Sequence, residues 1–458
     1  MASIVVVGGG LAGLTCAWRL LRAGHQVEVL EASDQPGGHL GVVDADEPEI
    51  DTGESFDERF DVNTLRLAQQ LDVGGVRQPV SAGAPHARDR ADVAVLRDGR
   101  LYGERGRGLV GYLATSLLPL GARLGLASYG ARALLWGRRL RMARAEWVQR
   151  LDTTSYAEDA LRFAGRDAAQ LVLGPVAEAA TSCPTYELSR AFALEAGLRW
   201  WLPGRPIAFA RGGRELVDAL AARVRVRREC EVVAVESETD GARVRYRVRG
   251  DERNALADAV VVAVSAAHVS RVCAKLTPDE AGFFESVRYA PRLGVHLVLA
   301  PLPAPLLNRS FVLPRREGHA SISIRIGRLR ADDEGQRTTV LTLWSSPAVV
   351  EDDLRASDGA LVERALRDLS RTPIGRIAVR DARVSRRPNA VPLFSVGHPT
   401  RVERFVDRID RTPRVAFAGD YLVAPDVEGG VTSGMRAATR IAREFAAART
   451  EGSAALRC

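Results

Sequence analysis

The stretch that most constrains this chain is at its N-terminus, where the apolar run Ser3-Ile4-Val5-Val6-Val7 leads directly into Gly8-Gly9-Gly10-Leu11-Ala12-Gly13. A continuous β-branched run of this kind suits a strand buried on both faces of a parallel sheet. The glycine hexapeptide matches G-x-G-x-x-G in the context that gives the pattern mechanical meaning, between a strand and a helix. Gly8 permits the tight turn, Gly10 lets the backbone approach a pyrophosphate, and Gly13 lets the helix pack closely on the strand. From Leu14 to Arg22 the spacing is helical, with Leu14, Ala17, Trp18 and Leu21 on one face. The start of that helix offers unpaired N–H groups and a positive dipole end to the phosphates of a dinucleotide. Val27 to Leu30 reads as the next strand. Glu31, 23 positions after Gly8, is placed to accept hydrogen bonds from a ribose hydroxyl.

At 458 residues the chain suits two or three domains. Its 46% hydrophobic and 26% charged content is that of an ordinary globular protein, neither disordered nor membrane-spanning. The net charge of +7 is carried by arginine, because Lys275 is the one lysine among 64 basic residues. So skewed a usage reflects coding composition better than a nucleic-acid surface, and no nucleic-acid partner is expected. Cys16, Cys183, Cys230, Cys273 and Cys458 are scattered and form no CxxC pair, which speaks against a disulfide framework and against a metal site. Met1 to Val7 lacks the pattern of a signal peptide, so the expected location is cytoplasmic.

From Gly212 the pattern is again α/β. Glu215 to Val224 is helical, Val232 to Val235 and Ala242 to Val248 pair as a hairpin, and Ala259 to Val264 is a second fully buried strand. Further strands are expected at Val93 to Leu101 around the Asp98-Gly99 turn, Gly294 to Leu299, Ala320 to Ile326, Thr338 to Trp344 and Arg414 to Ala418. A final helix is expected from Ser433 to about Ala447. Between Leu109 and Trp147 lies an apolar stretch studded with arginine. Its longest uncharged piece, Leu109 to Ala122, contains Pro119 and is shorter than the roughly 20 residues that span a bilayer. Two readings stay open there: helices that cap a substrate cavity, or a peripheral membrane contact with the seven arginines from Arg123 to Arg150 near the headgroups.

The continuation past Glu31 distinguishes one dinucleotide from another. Gln35-Pro36-Gly37-Gly38-His39 resembles the second glycine pair of the flavin-containing amine oxidase and protoporphyrinogen oxidase superfamily. That family usually carries arginine where this chain has His39. Asp51-Thr52-Gly53-Glu54-Ser55-Phe56 resembles the family loop that passes the flavin, and Gly212-Gly213-Arg214-Glu215-Leu216 resembles the turn leading to the adenine-contacting strand around Cys230 to Val233. Val391 to His398 resembles the segment before the last flavin strand. Phe417-Ala418-Gly419-Asp420-Tyr421 resembles the turn whose acidic residue meets the pyrophosphate or ribityl chain, and Val427-Glu428-Gly429-Gly430-Val431 the segment beneath the isoalloxazine.

The resemblance implies FAD as cofactor and an α/β fold, a discontinuous Rossmann-like FAD-binding domain with an inserted α+β substrate domain. The implied FAD-binding pieces are residues 1–78, 206–286 and 406–458. Residues 79–205 would be a helical insertion of the substrate domain and 287–405 its mixed sheet. With the N-terminal fingerprint, the expected FAD-contacting set is Gly8, Gly9, Gly10, Leu11, Ala12, Gly13, Glu31, Ala32, Gly37, Gly38, His39, Gly53, Glu54, Ser55, Cys230, Gly419, Asp420, Val427, Gly430 and Val431. Of Cys230, only the backbone is expected to touch the adenine.

In this superfamily the flavin accepts a hydride and the protein positions the substrate and excludes water. No Ser-His-Asp or metal arrangement is visible, and no catalytic residue is assigned. His25 in a turn and His296 within a strand read as structural. Many family amine oxidases place a lysine on a substrate-domain strand; here Ala300 falls at that position, and Lys275 lies on the surface before a helix start at Leu276-Thr277-Pro278. Trp200, Trp201 and Phe209 suit either a flat apolar pocket or the domain junction, and both readings stay open; Arg199, Arg205 and Arg211 beside them are candidate carboxylate partners. The expected activity is removal of hydride from a C–N or C–C bond of a sizeable, mostly apolar small molecule, with oxygen or another electron acceptor. Protoporphyrinogen-oxidase-like and secondary-metabolite tailoring oxidation lead; a polyene desaturase and a non-redox flavin isomerase are the alternatives.

Overall fold

The computed structural model describes residues 1–40, 56–73, 92–103, 109–142, 144–201, 206–207, 209, 212–303, 306–307, 309–331, 337–408 and 411–455. In chain order the strands are β1 (Ser3–Val7), β2 (Gln26–Leu30), β3 (Phe56–Asp57), β4 (Asp92–Arg97), β5 (Arg100–Tyr102), β6 (Pro206–Ile207), β7 (Arg225–Arg227), β8 (Cys230–Glu238) and β9 (Gly241–Val248). They continue with β10 (Asp251–Ala257), β11 (Ala259–Val262), β12 (Tyr289–Leu299), β13 (Arg309–Val312), β14 (Ser321–Ala331), β15 (Arg337–Ser345), β16 (Val379–Pro392) and β17 (Val415–Phe417).

One sheet is wholly parallel, in the order β17-β11-β1-β2-β7. This is the strand order of a dinucleotide-binding half, with β1 at its centre and the switch point beside it. The double burial expected of β1 is seen residue by residue. Ile4 and Val6 enter the core that holds the helix Leu11–Arg22, whereas Val5 and Val7 enter the core beneath the antiparallel sheet β10-β9-β8. On the first face Leu14, Trp18 and Ile441 are buried, at roughly 1.5–3 kcal/mol per large apolar side chain.

The C-terminal helix corrects the sequence reading. It runs from Val427 to Ala455 rather than from Ser433 to Ala447. The reason is local: the Asp426 carboxylate accepts from the Gly429 N–H at 2.7 Å and its carbonyl accepts from the Gly430 N–H at 3.1 Å. An aspartate cap thus outweighs the poor helix propensity of two glycines.

The second large sheet has the order β16-β12-β15-β14-β13-β4-β5, antiparallel except where β4 runs parallel to β13. On one face Leu293, Val295, Leu297 and Leu299 of β12 pack with Ile324, Ile326, Leu341 and Leu343, covered by apolar residues of the helices Val350–Asp353 and Asp358–Ser370. The β4–β5 hairpin turns on Asp98 and Gly99, both at positive φ, as its two-residue loop requires.

Between Leu109 and Trp201 the described residues form a series of helices joined by turns, and these share a core that includes Tyr129, Tyr156, Phe192 and Phe394. Val110, Leu120 and Leu124 of this region remain exposed. Among the described residues no helix is long and apolar enough to cross a membrane.

Candidate cofactor and substrate site

The glycine hexapeptide sits at the C-terminal end of β1. Gly8 has φ +103, and a Cβ there would lie 2.6 Å from the Ala263 carbonyl oxygen. A Cβ on Gly13 would collide with the Gly8 carbonyl, so the helix can lie against its strand only without one. Gly10 differs, because a Cβ built on it meets nothing nearer than the Gly38 Cα, at 3.9 Å. The two glycine segments are stitched together by a bridge between Gly10 and Gly37 and by the Gly37 N–H donating to the Gly9 carbonyl at 2.9 Å. The result is a cradle walled by backbone. It opens at the start of the helix Leu11–Arg22, whose cap residue Gly10 has no side chain to occupy the first N–H groups. Those groups suit an external anion, which is the donor chemistry a pyrophosphate requires. The residues present therefore fit FAD at its phosphates.

Glu31 closes one side. Its Oε2 accepts from the Gly9 N–H at 2.6 Å, and its Oε1 accepts from the Ser33 N–H and hydroxyl at 2.9 and 2.5 Å. A carboxylate has about four acceptor sites, so this anchoring leaves capacity for a ribose hydroxyl. The Cys230 N–H donates to the Glu31 carbonyl at 2.8 Å, which brings Cys230 to the same edge as the exposed Ala32. Its thiol is buried and donates to the Arg228 carbonyl, in keeping with a small core residue.

The C-terminal segments close the other side. The Gly419 N–H donates to the Ser433 hydroxyl at 2.9 Å. Asp420, next in sequence, lies 3.9 Å from His39 Nδ1, so the two residues expected near the phosphates and ribityl chain meet in space. Burial pushes the Asp420 carboxyl up to about 7. Burial and the nearby Arg387 guanidinium push His39 down. Arg387 enters from β16 and donates to the His39 carbonyl at 2.5 Å, so an arginine from the second sheet reaches the place where the sequence lacks one. Gly430 passes close to Leu11, whose Cδ2 would lie 3.8 Å from a Cβ added there, while Val431 is buried in the core beside Leu11. Val427 opens the helix above them. Gly53, Glu54 and Ser55 lie outside the described residues.

Three supports of this site escape sequence reasoning. His398, at the end of the expected pre-flavin segment, binds the Tyr421 carbonyl through Nε2 at 3.0 Å; burial pushes it down to about 4, so the neutral imidazole donates. The Tyr289 hydroxyl accepts from the Ala266 N–H at 2.9 Å. Glu428 reaches away from the helix that carries it to hold Asn63 and Thr64. Each side chain acts on a residue remote in sequence, and no local pattern announces it.

The structure places several of the substrate-side residues. Ala300 lies one residue beyond β12 and is exposed. Phe209 is buried against Phe56, ring centroids 4.9 Å apart, and serves the core rather than a pocket. Arg205 and Arg211 are outside the described residues, as are the side chains of Arg199, Trp200 and Trp201. Lys275 is exposed, as expected, and Thr277 caps the following helix with Glu280. His25 lies in a turn against Phe445, and His296 is a buried strand residue, held by Thr342 at 3.0 Å and Ser385 at 2.8 Å.

The parallel sheet, its glycine cradle and the large second sheet define the class: an α/β fold with a Rossmann-like FAD-binding part and a substrate part. The family profile of flavin containing amine oxidoreductases matches residues 11–442. The chain belongs to that family and is an FAD-dependent oxidoreductase by class. Its fold is similar to that of a protoporphyrinogen oxidase described as putative from Exiguobacterium sp. 255-15, with TM-score 0.69, 19% identity, and 96% of this chain and 99% of that one covered. It is also similar to cyclohexylamine oxidase from Brevibacterium oxydans IH-35A, with TM-score 0.74, 16% identity, and 97% and 99% covered. Among curated relatives, phytoene dehydrogenase of Streptomyces griseus is 52% identical over 50 residues, 11% of this chain and 10% of that protein. L-amino-acid oxidase of Daboia russelii is 57% identical over 37 residues, 8% of this chain and 7% of that protein. The matched segments thus span about a tenth or less of these curated relatives.

Proposed function

We propose that this chain oxidises a sizeable small molecule by removing a hydride from a C–N or C–C bond, with oxygen or another acceptor restoring the cofactor. When bound, FAD supplies the hydride acceptor. The chain's own residues hold and shape the site. Gly10 and Gly38 admit the pyrophosphate, the first N–H groups of the helix Leu11–Arg22 meet its charge, and Glu31 takes a ribose hydroxyl. Gly419, Asp420 and His39 line the ribityl side, and the start of the helix at Val427 carries N–H groups and a positive dipole end toward the ring. The expected contacts at Gly53, Glu54 and Ser55, and the division into three FAD-binding pieces and two substrate-domain pieces, belong to this proposal. The single observation that carries it is the close approach of the Gly10 and Gly38 backbones at an uncapped helix start, a wall without side chains.

Purified protein is expected to be yellow with flavin absorbance. Gly10→Val fills the cradle, and Glu31→Arg removes the ribose acceptor; both are expected to abolish that absorbance while the far-ultraviolet circular dichroism persists. Full FAD occupancy in a folded Gly10→Val protein would sink the placement of the pyrophosphate. A stopped-flow screen of flavin bleaching against porphyrinogens, amines and polyenes then separates the oxidase readings from the desaturase reading.

The exposed Val110, Leu120 and Leu124 support a peripheral membrane contact for the helical insertion, since exposed apolar side chains beside arginine suit an anionic lipid surface. Loss of co-sedimentation with anionic vesicles in a Leu120→Ser, Leu124→Ser protein tests it. Equal co-sedimentation of both proteins contradicts it.

A further inference from the structure

The helix His398–Asp407 starts without a cap of its own. Its N-cap residue, Gly397, sits at φ +86 and has no side chain to meet the first N–H groups. Asp152, 245 residues earlier and next after the helix Arg144–Leu151, supplies the acceptor. One of its oxygens accepts from the Gly397 N–H at 2.8 Å and the Ser189 hydroxyl at 2.6 Å. The other accepts from the Thr400 N–H and hydroxyl at 2.9 and 2.8 Å. A carboxylate has about four acceptor sites, and here all are taken. The charge also suits the helix dipole. Asp152 is buried, where a donor left without an acceptor costs about 1–3 kcal/mol.

Around this carboxylate the helical insertion grips residues 394–400. The Ser189 N–H donates to the Phe394 carbonyl at 2.8 Å, and the Val396 N–H to the Glu187 carbonyl at 3.1 Å. Phe192 of the insertion lies against Phe394 with ring centroids 4.8 Å apart, and Phe394 meets the His398 ring edge to face at 4.7 Å. His398, the first residue of the helix, carries the contact onward through its bond to the Tyr421 carbonyl. Tyr421 in turn shapes the turn before it. A Cβ on Gly419 would collide with the Tyr421 ring, and the Tyr421 N–H donates to the Asp420 carboxylate at 2.9 Å. The Leu422 and Val423 N–H groups close that turn on the Gly419 and Asp420 carbonyls. Contacts thus run without a break from Asp152 in the insertion to Gly419 and Asp420.

We infer that Asp152 is a remote positioning residue for the FAD site: by capping the helix His398–Asp407 it holds His398 against the Tyr421 carbonyl and so sets the Gly419–Asp420 wall. The inference rests on the flavoenzyme reading above and deepens it. It makes the helical insertion a support of the cofactor site, although no residue of the insertion is among the expected FAD contacts. Asp152 acts through His398, and no step of the chemistry passes through it.

The test uses the full chain and two readouts, at a temperature where circular dichroism shows every variant folded. One is amide hydrogen exchange of residues 419–423 by mass spectrometry in excess FAD. The other is the Kd of FAD, from the flavin fluorescence released on dilution. Asp152→Asn keeps the size of the side chain but turns an NH2 group toward donors. It and His398→Leu are each expected to speed exchange at residues 419–423 and to raise the Kd about tenfold. His398→Gln, whose amide still offers an N–H to the Tyr421 carbonyl, should stay near the parent. The double variant Asp152→Asn, His398→Leu should be no worse than His398→Leu alone, since the two residues act in series. Glu178→Gln is the control: it alters another buried carboxylate of the insertion, one that holds Thr185 instead, and should leave both readouts unchanged. Unchanged exchange or an unchanged Kd in Asp152→Asn, additive losses in the double variant, or an equal loss in Glu178→Gln overturns the assignment. A parent that takes up no FAD, while Asp152→Asn still loosens residues 419–423, refutes the flavoenzyme reading and leaves the positioning standing. A parent that binds FAD, with exchange unchanged in Asp152→Asn, does the reverse.

Discussion

Thr64 donates both its backbone N–H and its hydroxyl to one oxygen of Glu428, at 2.8 and 2.6 Å, across 364 residues of chain. The other oxygen accepts from the Asn63 N–H at 3.1 Å and the Thr432 hydroxyl at 3.2 Å. Glu428 thereby caps the helix Val62–Gln70, whose own N-cap Asp61 makes no capping bond. An anion at that end also suits the helix dipole.

Removing this carboxylate should loosen two distant segments together. Glu428→Ala is expected to lower the unfolding free energy by about 2 kcal/mol, because a buried N–H and hydroxyl at Thr64 lose their acceptor. Glu428→Gln, which keeps one acceptor oxygen, should lose less. Urea unfolding followed by circular dichroism measures both, and an alanine variant as stable as the parent would contradict the capping role.

Gly434 offers a prediction in which two known effects have opposite signs. In a helix interior, glycine to alanine ordinarily stabilises by about 1 kcal/mol. Here the new Cβ would collide with the Ala12 carbonyl oxygen and lie 3.1 Å from the Cys16 nitrogen, on the helix packed against it. Overpacking of this kind costs about 1–3 kcal/mol, so Gly434→Ala should shift the denaturant midpoint down rather than up. A midpoint above the parent would show that the two helices part without penalty.

Asp420 predicts a pH dependence. Its folded carboxyl titrates near 7, whereas an aspartate in the unfolded chain titrates near 3.9. Between these values the folded apoprotein holds a proton that the unfolded chain has released, so stability falls as pH rises through this window and levels off above about 7. The penalty is on the order of 4 kcal/mol. In Asp420→Asn it should vanish, so that the variant exceeds the parent at pH 8 and matches it near pH 4. Parallel stability profiles of the two apoproteins would refute the assignment.

What is legible in the sequence is what short-range pattern encodes. The alternation of β1 between two cores, the turn at Asp98-Gly99, the β8–β9 hairpin and the Thr277-Pro278 helix start follow from neighbouring residues. The proximity of Gly10 to Gly38, and of His39 to Asp420, matches the order of the motifs that resemble the family. The rest needs three dimensions. The C-terminal helix starts earlier than its apolar spacing suggests, because the Asp426 cap outweighs the glycine pair. Phe209 stays open between a pocket and the domain junction in the sequence, because its aromatic ring alone does not say that it packs on Phe56. The arginines of β12 and β16 share a face only through a strand register that no local pattern contains, and in a chain so rich in arginine their composition carries no signal.

The parallel sheet has a consequence for how the protein comes into being. Its central strand β1 is made first, yet β11 and β17, which complete the sheet on one side, are translated much later. During synthesis β1 therefore waits with one edge unpaired, a template for wrong pairing until Ala259–Val262 arrives. The wall formed by Gly419, Asp420 and the helix from Val427 comes last of all. If that wall holds FAD as proposed, cofactor capture is a late step in the biogenesis of this chain, and a ribosome stalled before that helix would hold a nascent protein whose fingerprint is complete but whose proposed binding site has only one side.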